Sequence, residues 1–237
     1  GIDVLGRDVL WSLDATHLGR GEDGIPVEAQ AVREVATTRS LALTVGPPVT
    51  TDDAIEVVAA AAALRGGKYP LVLATDNGPA YTSVRFERFI AASGVLHLLN
   101  LPHTPRHNPW VERGNRDFKE ETGLGKGVVV PDVEWARRRL ERAVERLDGN
   151  RLRRRLGYQT ARAVDATLAV PYDDNVRARL ADAVRRRVED GLRDPCSARE
   201  ERVLRREAIL AALEELGLIE RTRGGRSLNA VKPDRIS

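Results

Sequence analysis

Two short apolar segments of this chain each end at an aspartate, and this pairing constrains the fold more than any other feature. Tyr69–Ala74 contains β-forming residues, and the turn sequence Thr-Asp-Asn-Gly-Pro, which contains Asp76, follows it. Val9–Leu13 is a second such segment and leads directly to Asp14. Ligands bind at the carboxyl ends of strands in open α/β sheets. We therefore expect both aspartates at one edge of a sheet.

A third acidic residue, Glu112, is predicted to lie in the first turn of a helix. It follows Pro109, and proline favours the first turn of a helix, here one from about Trp110 to Glu121. The gap between Asp76 and Glu112 is 35 residues, but a chain with 35 acidic residues contains such gaps by chance. The prediction therefore depends on the strand and helix context. Three converging carboxylates suit a pair of divalent cations, and paired cations suit phosphodiester chemistry.

One face of this predicted helix combines an acid with positive charge. At about 100° per residue, Glu112, Arg116 and Lys119 lie within an arc of roughly 60°. Asn115 borders that arc. Such a face predicts one metal ligand beside two positively charged side chains that contact a phosphate backbone. The alternative is an ordinary solvated helix with an i,i+4 Glu–Arg pair, and the two aspartates favour the functional interpretation.

Three segments resemble the catalytic core that retroviral integrases share with bacterial insertion-sequence transposases: WSLDAT, LATDNGPAYTSVRFERFIAASGV and LPHTPRHNPWVERGNRDFKEE. The resemblance covers roughly residues 8–165 and is strongest to the insertion-sequence type. It implies an α/β, RNase H-like fold. It also implies a catalytic, metal-binding triad that falls on Asp14, Asp76 and Glu112, with two Mg²⁺ or Mn²⁺ ions as cofactor.

The family pattern also falls on positions around the triad. Its Asn-Gly pair falls on Asn77 and Gly78, and its aromatic residue falls on Tyr81. The proline and asparagine of the loop before the glutamate fall on Pro105 and Asn108. We expect DNA contacts from polar and basic residues near the triad: Asn77, Arg106, His107, Asn108, Asn115, Arg116 and Lys119. Tyr81 either stacks on a flipped base or packs in the core, and packing is favoured.

The local pattern predicts an order of elements that agrees with this fold. The predicted strands are Val9–Thr16, Val32–Thr38, Ser40–Val45, Tyr69–Ala74 and Val95–Leu99, with a loop at Gly19–Pro26. Thr50 or Thr51 is predicted to cap a helix that continues to about Leu64. Further helices are predicted at Thr82–Ser93, at Trp110–Glu121 after Pro109, and at Pro131–Leu147. This order predicts a mixed sheet flanked by helices.

We predict that the chain has three parts. The RNase H-like catalytic core covers 1–165, a linker covers 166–175, and a basic, mostly helical C-terminal region covers 176–237. Residues 1–130 carry a net charge of −3, and residues 131–237 carry +6. A basic second part fits a polyanion as partner.

The end of the chain, LGLIERTRGGRSLNAVK, resembles a winged-helix terminus. Helix, glycine, short strand, Arg-Gly-Gly-Arg turn and short strand follow one another there. In this interpretation Arg221, Arg223 and Arg226 contact a DNA backbone. The alternative is a hairpin that packs on the core or on another subunit, and the sequence leaves the two open.

Composition excludes several other classes of protein. No apolar segment reaches membrane-spanning length, and the N-terminus carries no secretory signal. The one cysteine, Cys196, excludes an internal disulfide and a cysteine-based zinc site. We expect a cytoplasmic protein of a bacterium, associated with the nucleoid. Because the sequence contains no methionine, we expect either an initiator removed before Gly1 or a fragment of a longer chain.

The predicted function is DNA integration and transposition through metal-dependent nicking of 3′ ends followed by strand transfer. Asp14 would bridge both ions, Asp76 would hold one and Glu112 the other, with the ions roughly 4 Å apart. The predicted partners are mobile-element ends, target DNA and at least one further copy of the chain.

Two alternative functions remain open. One is an RNase H-type nuclease that only hydrolyses. The other is a catalytically silent or domesticated DNA-binding and assembly protein. It is raised by the 13 residues before Asp14, where the family's transposases usually carry a helix-turn-helix domain. A separate domain or a partner chain would then recognise the DNA ends.

Overall fold

The computed structural model describes residues 1–100, 109–192 and 197–222, without the side chains of 109–113. A mixed sheet of six strands lies at its centre. The strands are β1 (Ile2–Val4), β2 (Leu10–Gly21), β3 (Pro26–Glu34), β4 (Ser40–Gly46), β5 (Val72–Thr75), β6 (Leu96–Leu99), β7 (Val129–Val130) and β8 (Ile219–Arg221). The helices are α1 (Thr51–Leu64), α2 (Pro79–Thr82), α3 (Val84–Ala92), α4 (Pro109–Thr122), α5 (Val133–Gly149), α6 (Ala161–Thr167), α7 (Asp174–Gly191) and α8 (Ala198–Glu215).

The strand order is β4–β3–β2–β5–β6, with β7 paired to the far end of β2. β3 is antiparallel to both of its neighbours, β2 and β4, whereas β5 and β6 run parallel to β2. Helices cover both faces, so the predicted mixed sheet flanked by helices is confirmed.

One face of the sheet is covered by α1 and α3. Thr50 and Asp53 form a capping box at the start of α1, which satisfies backbone N–H groups that a helix start leaves without partners. The predicted threonine cap is therefore confirmed. Aromatic and aliphatic side chains from both layers form the cluster beneath these helices, including Trp11, Leu13, Val57, Leu73, Phe86 and Ile90.

The other face is covered by two pairs of helices. α4 and α5 pack over the β2–β4 side, where Phe118 and Leu140 share a cluster with Ala31. α7 and α8 pack over β5 and β6, where Leu213 shares a cluster with Leu98. Because side chains alternate along β2, Asp14 lies on this same face, between the two helix pairs.

The C-terminal part of the chain is joined to its first residues by hydrogen bonds as well as by apolar contacts. The Tyr172 hydroxyl donates to the carbonyl of Asp8 at 2.9 Å, and β8 pairs antiparallel with β1, Ile219 opposite Val4. The first strand of the predicted C-terminal hairpin therefore pairs with the beginning of the chain. The hairpin's turn and second strand lie outside the described residues. The predicted division at 166–175 stays a prediction.

The connection between β2 and β3 differs from the prediction. Residues 19–26 were predicted as loop, but β2 continues through Gly21 and β3 begins at Pro26. Two contacts with residues that are distant in the sequence explain why β2 extends this far. Gly19 lies so close to β7 that a Cβ would be 2.5 Å from the carbonyl oxygen of Val128, and Gly21 pairs with Val130. Neither contact is visible in the local sequence.

Candidate active site

Asp14 lies within β2, which continues beyond the predicted strand end, and Asp76 directly follows the last residue of the neighbouring strand β5. β2 and β5 are parallel, with Ser12 opposite Ala74. Two residues further along each strand, Asp14 and Asp76 are on the same face of the sheet because side chains alternate. The structure thus brings together the two aspartates that the sequence predicted at one sheet edge.

The Asp14 carboxylate is half-buried and close to negative charge. The pKa of Asp14 is raised to about 7, mainly by burial and then by the charge of Asp76. The side-chain amide of Asn115 donates to Oδ2 of Asp14 at 2.6 Å, and this bond acts in the opposite direction, as does Lys119. Two neighbouring carboxylates whose repulsion is only partly compensated form a site that favours a cation.

Asp76 lies in a turn that its own side chain stabilises. Its Oδ1 accepts a hydrogen bond from the backbone N–H of Gly78 at 2.8 Å. The hydroxyl of Thr75 donates to the carbonyl of Asp76 at 2.8 Å and lies 2.8 Å from Nε2 of His97. The backbone around Asp76 is therefore fixed, while its side chain is exposed to solvent.

Helix α4 carries Glu112 in its first turn, one turn before Asn115. The predicted helix is confirmed, and its buried residue Phe118 packs towards the sheet as expected. Asn115 contacts Asp14, so this part of α4 lies next to Asp14. The side chain of Glu112 lies outside the description.

Charge contacts hold the middle of α4 to the segment after α5. Asp117 is 4% exposed and accepts hydrogen bonds from Arg153 at 2.9 Å and from Arg151 at 3.0 Å. Both arginines have a packing role, because they neutralise a buried carboxylate in the helix that carries Glu112.

Asn77, predicted to contact DNA, instead contacts the end of β6. Its side-chain amide donates to the carbonyl of Asn100, and its Oδ1 is buried without a partner among the described residues. Arg206 in α8 donates to Oδ1 of the same Asn100 at 3.1 Å. Within the described part of the chain, these contacts connect α8 to the turn that holds Asp76.

The other predicted DNA contacts fall into three groups. Arg116 and Lys119 are exposed on α4, as the helical arc predicted. Arg221 is half-buried and forms ion pairs with Glu207 at 2.9 Å and with Glu214 at 2.8 Å. The remaining residues lie outside the described ranges: Arg106, His107, Asn108, Arg223 and Arg226.

Tyr81 packs in the core. It is 3% exposed, its ring meets Phe86 edge to face, and its hydroxyl accepts a hydrogen bond from Gln30 at 2.9 Å. The favoured packing interpretation is confirmed.

Two buried arginines beside the site, Arg33 and Arg206, were not predicted from the sequence. Nothing in the segments around them distinguishes a buried arginine from an exposed one. The one sequence feature that indicates a buried side chain against this helix is Gly114, because glycine is unfavourable in the interior of a helix.

Among the side chains that the structure describes, no three His, Cys, Asp or Glu residues form a group that could hold a metal ion. Glu112 is not one of those side chains. Asp14 and Asp76 supply oxygen donors, which Mg²⁺ and Mn²⁺ prefer, and their mutual repulsion is what a cation would relieve. The residues present therefore fit a divalent cation. None of the described helices is long and apolar enough to cross a membrane.

Residues 6–105 of the sequence match the family model of the integrase core domain. The Pol-related polyprotein of a mouse intracisternal A-particle is 48% identical over 50 residues, which is 21% of this chain and 6% of the relative. The uncharacterized 39.2 kDa protein of insertion element IS476 from Xanthomonas euvesicatoria is 39% identical over 61 residues, 26% of this chain and 17% of the relative. The chain thus spans less than a fifth of either relative.

Solved structures share the fold. The simian T-cell lymphotropic virus intasome contains a similar chain, with a TM-score of 0.59 and 21% identity over 72% of this chain and 58% of that one. The HTLV-2 integrase catalytic core domain, solved in complex with magnesium in dimeric form, has a TM-score of 0.52 and 18% identity. That match covers 68% of this chain and 98% of the viral domain. The fold is therefore the RNase H-like fold of integrase catalytic cores.

Proposed function

We propose that the protein is a metal-dependent polynucleotidyl transferase acting on DNA, a function supported by the match of residues 6–105 to the integrase core domain and by the similarity to an insertion-element protein. One observation carries the proposal. Asp14 and Asp76 are adjacent at the sheet edge, and Asn115 holds the helix that contains Glu112 against Asp14.

Asp14, Asp76 and Glu112 would hold two Mg²⁺ or Mn²⁺ ions. Bound ions at such a site activate the attacking oxygen and stabilise the leaving oxygen in an in-line displacement. The raised pKa of Asp14 supports the assignment, because a site built for cations concentrates negative charge that is poorly compensated without them.

The reaction consists of two displacements at phosphorus. In the first, a water oxygen attacks, the bond from phosphorus to the 3′ oxygen breaks, and that oxygen leaves as a free 3′-hydroxyl. In the second, this hydroxyl attacks a target phosphodiester and a target 3′ oxygen leaves. Asn115 orients Asp14 through its hydrogen bond, and the exposed Arg116 and Lys119 bind the phosphate backbone beside the site.

The proposed partners are mobile-element ends, target DNA and at least a second copy of the chain, since strand transfer joins two DNA ends to one target. A separate domain or chain would recognise the end sequences. Arg106, His107, Asn108, Arg223 and Arg226 are proposed further DNA contacts, with Asn77 and Arg221 joining them once their present contacts open. The proposed location is the bacterial cytoplasm, at the nucleoid.

A strand-transfer assay tests the function. A labelled duplex with a free 3′-hydroxyl is incubated with Mn²⁺ and the protein, its Glu112→Gln variant, or Glu120→Gln. Glu120 is a matched control, because it is an exposed acid further along the same helix. We expect joined products from the wild type and Glu120→Gln, and none from Glu112→Gln.

Other outcomes separate the alternatives. Nicks without joining, lost in Glu112→Gln, would indicate a nuclease that only hydrolyses. DNA binding that survives chelation, without products at any metal concentration, would indicate a catalytically silent binding protein. Either result would overturn the proposed strand-transfer activity.

A further inference from the structure

Arg33, in β3, is a buried positive charge beneath the helix that carries Glu112. It is 8% exposed, and its Nη2 donates to the carbonyl of Gly114 at 3.0 Å. Its guanidinium carbon lies 4.0 Å from the centre of the Phe118 ring. Gly114 and Phe118 are one turn apart in α4, so one guanidinium contacts the helix at two successive turns.

The same side chain lies close to the proposed active site. In the pairing of β2 with β3, Arg33 is opposite Ser12 and Ala31 is opposite Asp14. Side chains alternate along a strand, so Arg33 is on the same face as Asp14, about 7 Å further along the sheet. The helix residue after Gly114 is Asn115, which donates to Asp14.

Gly114 provides the space that this contact needs. A Cβ at this position would lie 2.6 Å from both Cζ and Nη1 of Arg33. Glycine weakens a helix interior, so its presence here is explained by the close approach of the guanidinium to the helix backbone. Any larger residue would displace either Arg33 or α4.

The charge of Arg33 is compensated by buried carboxylates. The pKa of Arg33 is lowered to about 10, mainly by burial, while Asp148 and Asp117 act in the opposite direction and Arg153 adds to the lowering. Arg33 is therefore charged at neutral pH. It is balanced within the protein, so it is not available to bind a substrate.

We propose that Arg33 is a positioning residue, which sets the depth and rotation of α4 on the sheet so that Glu112 and Asn115 meet Asp14. The catalytic consequence rests on the proposed function, because the position of Glu112 affects a reaction only if Glu112 binds the metal.

Metal dependence of nicking tests the proposal. Arg33→Met keeps the packing on Phe118 but removes the donor, and Arg33→Lys restores a donor for the Gly114 carbonyl. We expect Arg33→Met to raise the half-saturating Mn²⁺ concentration about 10–100-fold, the usual cost of losing an outer-shell partner, and Arg33→Lys to recover most of it. Arg162→Met is the control, since Arg162 pairs with Glu145 on the surface. An unchanged Mn²⁺ dependence in Arg33→Met would overturn the positioning role.

A pair of glycine variants tests the contact from the helix side, even if Arg33→Met folds poorly. Gly114→Ala alone should lower the melting temperature, because the new methyl group collides with Arg33. In the Arg33→Ala background, the same change should raise the melting temperature, because alanine favours a helix more than glycine. The same sign in both backgrounds would overturn the proposed contact.

A third readout does not depend on activity. The side-chain amide signal of Asn115, assigned by its loss in Asn115→Asp, reports the position of α4 by NMR. We expect Arg33→Met to shift this signal and Arg162→Met to leave it unchanged. If the wild type neither nicks nor joins DNA, the proposed function fails, and the Asn115 signal still decides the role of Arg33. A signal that Arg33→Met leaves in place overturns that role.

Discussion

Arg206, in α8, donates from one guanidinium nitrogen to Oδ1 of Asn100 at 3.1 Å and to the carbonyl of Leu99 at 3.3 Å. More than 100 residues separate these partners in sequence, and Arg206 is 4% exposed. Asn100 also accepts a hydrogen bond from Asn77, next to Asp76. The C-terminal helices are therefore structural neighbours of the proposed active site.

Arg206→Met is expected to reduce both stability and nicking. The change leaves the buried Asn100 oxygen and the Leu99 carbonyl without a donor, which costs about 1–3 kcal/mol of unfolding free energy. Burial lowers the pKa of Arg206, so removing the charge recovers part of that cost. Urea denaturation measures the stability. Arg202→Met is the control, because Arg202 is exposed on the same helix, and equal midpoints for the two variants would contradict the prediction.

Asp14→Asn is expected to stabilise the metal-free protein while abolishing activity. The folded-state pKa of Asp14 is raised to about 7, above its ordinary value near 4, so the folded state holds a proton that the unfolded state releases earlier. The contribution of the Asp14 carboxyl to the unfolding free energy is therefore present below pH 4 and is lost as the pH rises towards 7.

The Asp14→Asn variant does not lose stability in this way when the pH rises. At pH 8 with a chelator, its unfolding free energy should exceed that of the wild type by on the order of 1–2 kcal/mol, and at pH 4 the two should agree. Thermal melts at both pH values measure the difference. A variant that is less stable at pH 8 would show that the repulsion between Asp14 and Asp76 is already relieved.

The candidate site was largely predictable from sequence because its parts are local. A β-forming segment followed by a breaker places Asp76 at a strand end, Pro109 places Glu112 at a helix start, and Thr50 marks the cap of α1. Each signal is a property of a few consecutive residues, and chain topology brings the strand ends together.

The contacts that hold the site in place were not predictable, because they join segments that are distant in the sequence. β1 pairs with β8 from the opposite end of the chain, and β2 is extended by its pairing with β7. Arg33 and Arg206 are arginines in segments where the local pattern suggests exposure, and only the packing of α4 and α8 buries them. Burial of a charge becomes favourable only when its partners are assembled.

Tyr81→Phe is expected to lower stability slightly without affecting nicking. The phenyl ring keeps its packing against Phe86, but the amide of the buried Gln30 loses its acceptor, at a cost of about 1 kcal/mol. Chemical denaturation and the nicking assay measure the two effects. A loss of nicking at unchanged stability would instead indicate that the Tyr81 hydroxyl has a role at the site.

Arg116→Gln and Lys119→Gln are expected to weaken DNA binding in a salt-dependent manner. Both side chains are exposed on the face of α4 beside Asn115, so each is expected to neutralise one phosphate. Each change should reduce the slope of log K against log salt by about 1, uniformly across DNA sequences. Binding titrations over a series of salt concentrations measure the slope. Lys126→Gln is the matched control, because Lys126 is exposed beyond the end of α4, and an equal reduction in all three variants would indicate a general charge effect rather than contacts at the site.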